Sequence, residues 1–228
     1  MRREEARHLR IEIDERDGLA LREILKYPSV ERVTLVDLDP EMTRLFSTHP
    51  TLVALNRGSL RSPKVHVVND DAFVWLDQHP DMFDFVVVDF PDPNNYGVGK
   101  LYTTAFYRLL SRHLSRDGLI VVQATSPLFA RKSYWCIAET MRQAGLTTYP
   151  YHLYVPSFGE WGFVLASLDG GYTPPTTLPE HLRYLTVAEV PRMFQFSADM
   201  QPVAVEANRL NTQVLARYYE QEWDRVNR

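Results

Sequence analysis

The stretch from Phe83 to Pro93, FDFVVVDFPDP, constrains the fold more than any other part of this chain. It opens as an apolar run of strand length, the signature of a parallel strand covered on both faces. Parallel strands need long crossovers between them, most often helical. The chain supplies these on both sides, because strand-length runs alternate with amphipathic helix patterns from one end towards the other. LRIEI, RVTLVDL and KVHVV precede as strands, and LIVVQAT follows. Between them lie the helical segments LALREILKY, PEMTRLFS, AFVWLDQH and TTAFYRLLSRHL, with RKSYWCIAETMRQAG after LIVVQAT. Such alternation predicts an α/β fold of the Rossmann-like kind, a mostly parallel sheet with helices on both faces. TTYPYHLYV and WGFVLASL then read as a closing antiparallel pair.

Local signals set several boundaries. Asp39 before Pro40 is an N-cap followed by proline at the first helical position. Leu19, Ile24 and Leu25 form the apolar stripe of the first helix, which Pro28 stops. Asp117-Gly118 reads as a turn, and Gly145 as a C-cap glycine. Gly170-Gly171 and Pro174-Pro175 mark a linker or surface loop. The expected organisation is therefore a main domain over 1–168 and a C-terminal extension over 169–228. The extension ends in an amphipathic helix with Leu210, Val214, Leu215 and Tyr218 on the side that packs on the main domain.

Composition narrows the partners. With 228 residues, 45% of them hydrophobic, the chain can bury a sizeable core. A formal net charge of −4 gives no electrostatic support to a nucleic-acid partner. The one cysteine, Cys136, excludes an internal disulfide and sits in a helical context that makes it inert. No apolar run approaches the ~20 residues that span a bilayer, and the charged start MRREEARHLR lacks the apolar centre of a secretion signal. The expectation is a soluble, cytoplasmic chain. The seven histidines are scattered without ligand spacing, so no metal is expected.

The acids gather where an α/β sheet binds its ligands, at the carboxyl ends of the strands. Asp17 follows the first strand, Asp37 and Asp39 the second, Asp70 and Asp71 the third, Asp89 and Asp92 the fourth. Helix capping accounts for some of them but not for Asp89, which is followed by Phe90-Pro91. An acid closing the second strand, about twenty residues after the first turn, is placed to accept from a ribose diol, which nominates Asp37. Asp71, with small Ala72 behind it and Asp70 as competitor, is placed to accept from an adenine amino group. Asp17-Gly18 lies where the first loop passes a cofactor, so Asp17 is placed to pair with a cationic amine. Asp89 and Asp92, three residues apart on a proline-stiffened loop, suit attack by an amine. One carboxylate takes the proton that the amine must lose, and the other holds and aims the ammonium form.

The segments DGLALREILKYP, VTLVDLDPEM, VHVVNDDAFVWL, FDFVVVDFPDP, KLYTTAFYRLLSRHLSRDGLIVVQATSP and VPSFGEWGFVLAS together resemble the spermidine synthase family of polyamine aminopropyltransferases. The resemblance runs from about Asp17 to Ser167. The closing RLNTQVLARYYEQEW is similar to the tail of bacterial members in which this domain follows a membrane-embedded N-terminal half. It implies transfer of an aminopropyl group from decarboxylated S-adenosylmethionine to putrescine or a related diamine, without a metal, in what is a homodimer in the intact family. Under it Asp89 is the general base, Asp92 binds the diamine and Asp37 holds the ribose. Asp71 with Ala72 faces the adenine, and Asp17 meets the aminopropyl nitrogen of the donor. Tyr96 is a lid residue, and Glu160 or Trp161 lies near the amine end. Trp161 has core packing as its alternative.

Two departures stand beside these matches. Where the family has Gly-Gly-Gly-Asp-Gly, this chain has Asp14-Glu15-Arg16-Asp17-Gly18, and bulky residues there are expected to crowd the donor pocket. The family's N-terminal β-hairpin segment is expected to be missing, as in a truncated or misread frame. Two further readings follow: an S-adenosylmethionine-dependent methyltransferase on the same fold, or a catalytically inactive family fragment.

Overall fold

The computed structural model describes residues 9–14, 17–180 and 182–226. Glu15 and Arg16, whose bulk was expected to crowd the donor turn, lie outside the described residues. The chain forms two compact units. One comprises the described residues up to Phe90 with Leu109–Val121, the other Pro91–Arg108 with the described residues from Val122 onward.

The first unit runs β1 (Leu9–Asp14), α1 (Leu19–Ile24), β2 (Val30–Val36), α2 (Pro40–Thr48), α3 (Pro50–Asn56), a 3-10 turn at Ser59–Arg61, β3 (Val65–Val68), α4 (Ala72–Gln78), β4 (Phe83–Val88) and most of β5 (Leu114–Gln123). Its strand order is β3-β2-β1-β4-β5, with β1 parallel to both β2 and β4, and β2 parallel to β3. The order reverses between β1 and β4. That reversal is the topological switch point at which Rossmann-like sheets open a ligand crevice beyond their carboxyl ends.

The sheet is covered on both faces, as the apolar strands require. Val33 and Leu35 of β2 are fully buried, and so is Leu21 of α1. These three cluster with Val30 and Leu60, and Ile24, Leu25, Phe46, Val67 and Phe85 pack around them. Burying a side chain of this size contributes about 2–3 kcal/mol, so the five set much of the unit's stability. Leu21 is the fully buried position of α1, while the expected stripe of Ile24 and Leu25 packs at its margin. The Asp39 cap forms as the sequence predicts, accepting from the Glu41 and Met42 amides ahead of a helix whose first residue is Pro40.

One turn lies elsewhere than expected. Asp117-Gly118 is inside β5, which already begins at Leu114. The chain turns instead at Arg112-His113, whose amides donate to the Leu109 and Leu110 carbonyls. The His113 carbonyl accepts from the Phe83 amide at 2.7 Å, so pairing to β4 starts before the Asp-Gly step.

The second unit contains α5 (Tyr96–Gly99), the start of α6 (Thr104–Ser111), α7 (Arg131–Gln143), β6 (Thr147–Val155), β7 (Gly159–Ser167), α8 (Val190–Met193) and α9 (Val214–Val226). β6 and β7 are antiparallel, from Thr147 opposite Ser167 to Val155 opposite Gly159. Gly145 ends α7 at φ 102°. The Leu146 amide there returns to the Met141 carbonyl and the Gly145 amide to Arg142, the paired bonds of a Schellman cap. Cys136 is fully buried in α7, and burial pushes its thiol up to about 12, so it carries no thiolate at neutral pH. Helix α9 lies along α7 and buries Val214 and Leu215. Leu210, expected on the same stripe, precedes the helix and is exposed.

Candidate active site

Register brings the strand ends of the first unit level. Ile13 pairs with Leu35, Val36 with Val68, and Asp14 with Val88. The residues that follow these ends, Asp37, Asp70 and Asp89, therefore emerge along one edge of the sheet, with Asp89 at the switch point.

The first turn is held from a distance. Gly18 is buried at φ 74°, and a Cβ there would stand 2.6 Å from the Ser59 hydroxyl oxygen. That hydroxyl donates to the Gly18 carbonyl at 2.6 Å. Asn56, fully buried at the end of α3, donates through Nδ2 to the Asp17 and Phe46 carbonyls, each at 3.0 Å. Its Oδ1 accepts from the Gly58 amide at 2.9 Å. Both amide protons and the carbonyl of Asn56 are thus engaged in shaping the loop. The Asp17 carboxylate accepts from the Leu19 amide at 2.9 Å and starts α1.

The other strand-end acids also bind amides close to them in sequence. Asp37 is 1% exposed, with Oδ1 accepting from the Asp39 amide at 2.7 Å. Asp70 accepts from the Asp71 amide at 2.7 Å. Asp71 caps α4 by accepting from Phe73 at 2.9 Å, which places Ala72 as the first residue of the helix. Asp89, one residue beyond β4, faces outward between buried Val88 and buried Phe90. Alternation along extended backbone explains this, since two apolar neighbours turned inward leave the intervening acid facing out.

Asp92 belongs to the second unit and differs in kind. Its Oδ2 accepts from the Tyr219 hydroxyl at 2.8 Å, a residue on α9. Its Oδ1 is buried and has no hydrogen-bond partner among the described residues. Burial raises the Asp92 carboxyl above the ordinary aspartate range, against the opposing pull of Tyr219 and then Gln123. Burial, and next the Asp92 charge, raise the Tyr219 phenol, which stays protonated as a donor. Tyr219 carries no local signal of this role. Its pairing with an acid 127 residues away is a product of the fold.

The remaining expected residues separate. Tyr96 opens α5 at 71% exposure, after Asn95, which caps the helix through the Val98 amide. Glu160 and Trp161 are successive on β7 and so face opposite ways. Trp161 is packed inside against Phe158, as its alternative reading has it. Glu160 accepts from or pairs with His152 Nδ1 at 2.8 Å, on the wall of a cavity of about 650 Å³ shared with Tyr154, Tyr184 and Arg192. Neither Asp92 nor Tyr96 lines that cavity. Among the described residues no group of three His, Cys, Asp or Glu side chains is arranged to hold a metal ion. No described helix is long and apolar enough to cross a membrane.

The family model of the spermine/spermidine synthase domain matches residues 7–173, and the chain belongs to that family. Polyamine aminopropyltransferase 2 of Ralstonia nicotianae is 56% identical over 213 residues, covering 93% of this chain and 42% of that protein. The polyamine aminopropyltransferase of Leptospira interrogans is 52% identical, covering 92% of this chain and 42% of the relative. The chain thus spans about two fifths of the length of these relatives. Among solved structures, a spermidine synthase in complex with the transition-state analogue AdoDATO superimposes with a TM-score of 0.73 at 21% identity, covering 83% of this chain and 67% of that one. The spermidine synthase of Thermotoga maritima gives a TM-score of 0.72 at 19% identity, over 83% and 66% of the two chains. The fold is the Rossmann-like one of these structures.

Proposed function

We propose that this chain carries the aminopropyl-transfer site of a polyamine aminopropyltransferase, with decarboxylated S-adenosylmethionine as donor and putrescine or a similar diamine as acceptor. The observation that carries the reading is Asp92, a half-buried carboxylate whose Oδ2 accepts from a neutral phenol and whose buried Oδ1 has no hydrogen-bond partner among the described residues. A buried charge left in that state is costly unless a cation completes it. An alkylammonium group does so.

The strand-end acids of the first unit take the donor. Asp37 accepts from its ribose, Asp71 with Ala72 and Asp70 faces its adenine, and Asp17 meets the amino group of its aminopropyl arm beside Gly18. The reacting amine arrives protonated, and Asp89 accepts that proton. The freed nitrogen lone pair attacks the aminopropyl carbon bound to the sulfonium. That carbon–sulfur bond breaks, and its electron pair stays on sulfur, so neutral methylthioadenosine leaves. Asp92 holds the distal ammonium of the same diamine and aims the chain. Tyr96, exposed ahead of a four-residue helix, serves as the lid, and Glu160 belongs to the amine end.

The test offers purified protein putrescine with either decarboxylated S-adenosylmethionine or S-adenosylmethionine itself. Methylthioadenosine and spermidine from the first donor are expected. Methyl transfer from the second would replace this reading with a methyltransferase. Absence of product together with absence of methylthioadenosine binding would identify an inactive fold.

A further inference from the structure

The acid that the proposed function assigns to the diamine is held from outside the matched family domain. That match ends at residue 173, whereas Tyr219 lies on α9, forty-odd residues further on. We propose that Tyr219 is a positioning residue of the amine subsite, fixing Asp92 through Oδ2 so that Oδ1 is presented to the substrate ammonium, and that α9 is thereby a working part of the site.

Three observations support this. The first is chemical. The terminal torsion of an aspartate is broad, so a carboxylate without a fixed donor does not present one chosen oxygen. Tyr219 supplies that donor at 2.8 Å and leaves Oδ1 buried, with no hydrogen-bond partner among the described residues. A lysine or arginine at the same place would also orient Asp92, but would neutralise the charge that the ammonium needs. The phenol orients it and leaves the charge in place.

The second concerns the amino-terminal anchor of α9. Asn208 is fully buried, and its Nδ2 donates to the Gly99 and Tyr102 carbonyls at 3.0 and 3.1 Å. Its Oδ1 accepts from the Leu215 amide in the first turn of α9. Its own amide donates to Thr140 of α7, and its carbonyl accepts from the Thr104 amide. The third is the anchor further along the helix. Glu222 accepts from the Lys132 and Ser133 amides at 2.7 and 3.0 Å, capping the start of α7. Tyr219 lies between these fixed points, so its hydroxyl is delivered by a braced helix.

The proposal rests on the aminopropyl-transfer reading, and the experiment separates the two. Binding of 1,4-diaminobutane is measured by calorimetry with methylthioadenosine present, and KM and kcat are measured with the same diamine, for the wild type, Y219F and E222Q. Y219F is expected to weaken diamine binding and raise KM about tenfold, the scale of a lost hydrogen bond to a charged group. Its kcat should stay within about twofold, and methylthioadenosine affinity should be unchanged. E222Q keeps the phenol while loosening α9 at α7. It should lower the thermal midpoint and cost less diamine affinity than Y219F does. Wild-type affinity in Y219F overturns the proposal, as does an equal loss in E222Q, which would make the helix's effect purely structural. A wild-type chain that neither binds the diamine nor releases methylthioadenosine overturns the underlying reading instead.

Discussion

The acids of the two units are held in different ways. In the first unit Asp17, Asp37, Asp70 and Asp71 each accept from an amide one or two residues away. In the second, Asp92 takes its hydrogen bond from a side chain on the last helix. Carboxylates fixed by their own turns are set by local geometry as soon as the strand ends. A carboxylate fixed by a remote phenol exists only once the C-terminal segment has docked. Asp89 differs from both in facing outward, where a carboxylate is least costly to keep charged.

The largest effect expected is at Asp89. Asp89→Asn should lower methylthioadenosine release by about 10²- to 10⁴-fold, the range that a positioned base supplies. The thermal midpoint should stay within a degree or so, because the side chain is exposed. Turnover near that of the wild type would remove Asp89 from the chemistry.

Gly18→Ala strikes the first unit through its architecture. Positive φ costs an ordinary residue about 1–2 kcal/mol, and the new Cβ would meet the Ser59 hydroxyl oxygen at 2.6 Å. A destabilisation of about 2 kcal/mol or more is expected in denaturant unfolding, with loss of methylthioadenosine binding. Asn56→Ala should act in the same direction, since it leaves the Asp17 carbonyl without its side-chain donor.

A gentler probe of the second unit is pH. Asp92 is raised above its unfolded-state value, mainly by burial. Its ionised form therefore costs native stability at neutral pH, and that cost fades as pH falls through the raised value and the carboxyl takes up a proton. Asp92→Asn should accordingly leave the ligand-free protein as stable or more stable at pH 7, with the advantage vanishing on acidification. Diamine affinity runs the opposite way in the wild type. It should weaken on acidification at a higher pH than an ordinary aspartate would give, as followed by calorimetry across a pH series.

Local features were legible in the sequence because they are written in neighbouring residues. The alternation of strands and helices, the Asp39–Pro40 helix start and the Gly145 cap all form as read. So does the antiparallel pair of β6 and β7. Features decided by tertiary contact were not. Helix α3 went unread because PTLVALN is short and follows α2 at once, yet its last residue, Asn56, shapes the first turn. Asp117-Gly118 has turn composition but lies in β5, because backbone pairing between His113 and Phe83 begins the strand earlier. Leu210 fits the apolar stripe by spacing and is exposed because the helix has not yet begun. The acids of the candidate site were nominated by their places at strand ends. Tyr219, a tyrosine in an amphipathic helix, had nothing beside it in sequence to separate it from a packing residue.

The division of labour between the two acids is tested most directly by titrating 1,4-diaminobutane into methylthioadenosine-loaded wild type, D89N and D92N in one calorimetric series at pH 7. The account predicts that D89N binds the diamine within a few-fold of the wild type, whereas D92N loses most of the affinity. Equal binding by both variants, or loss confined to D89N, would contradict it.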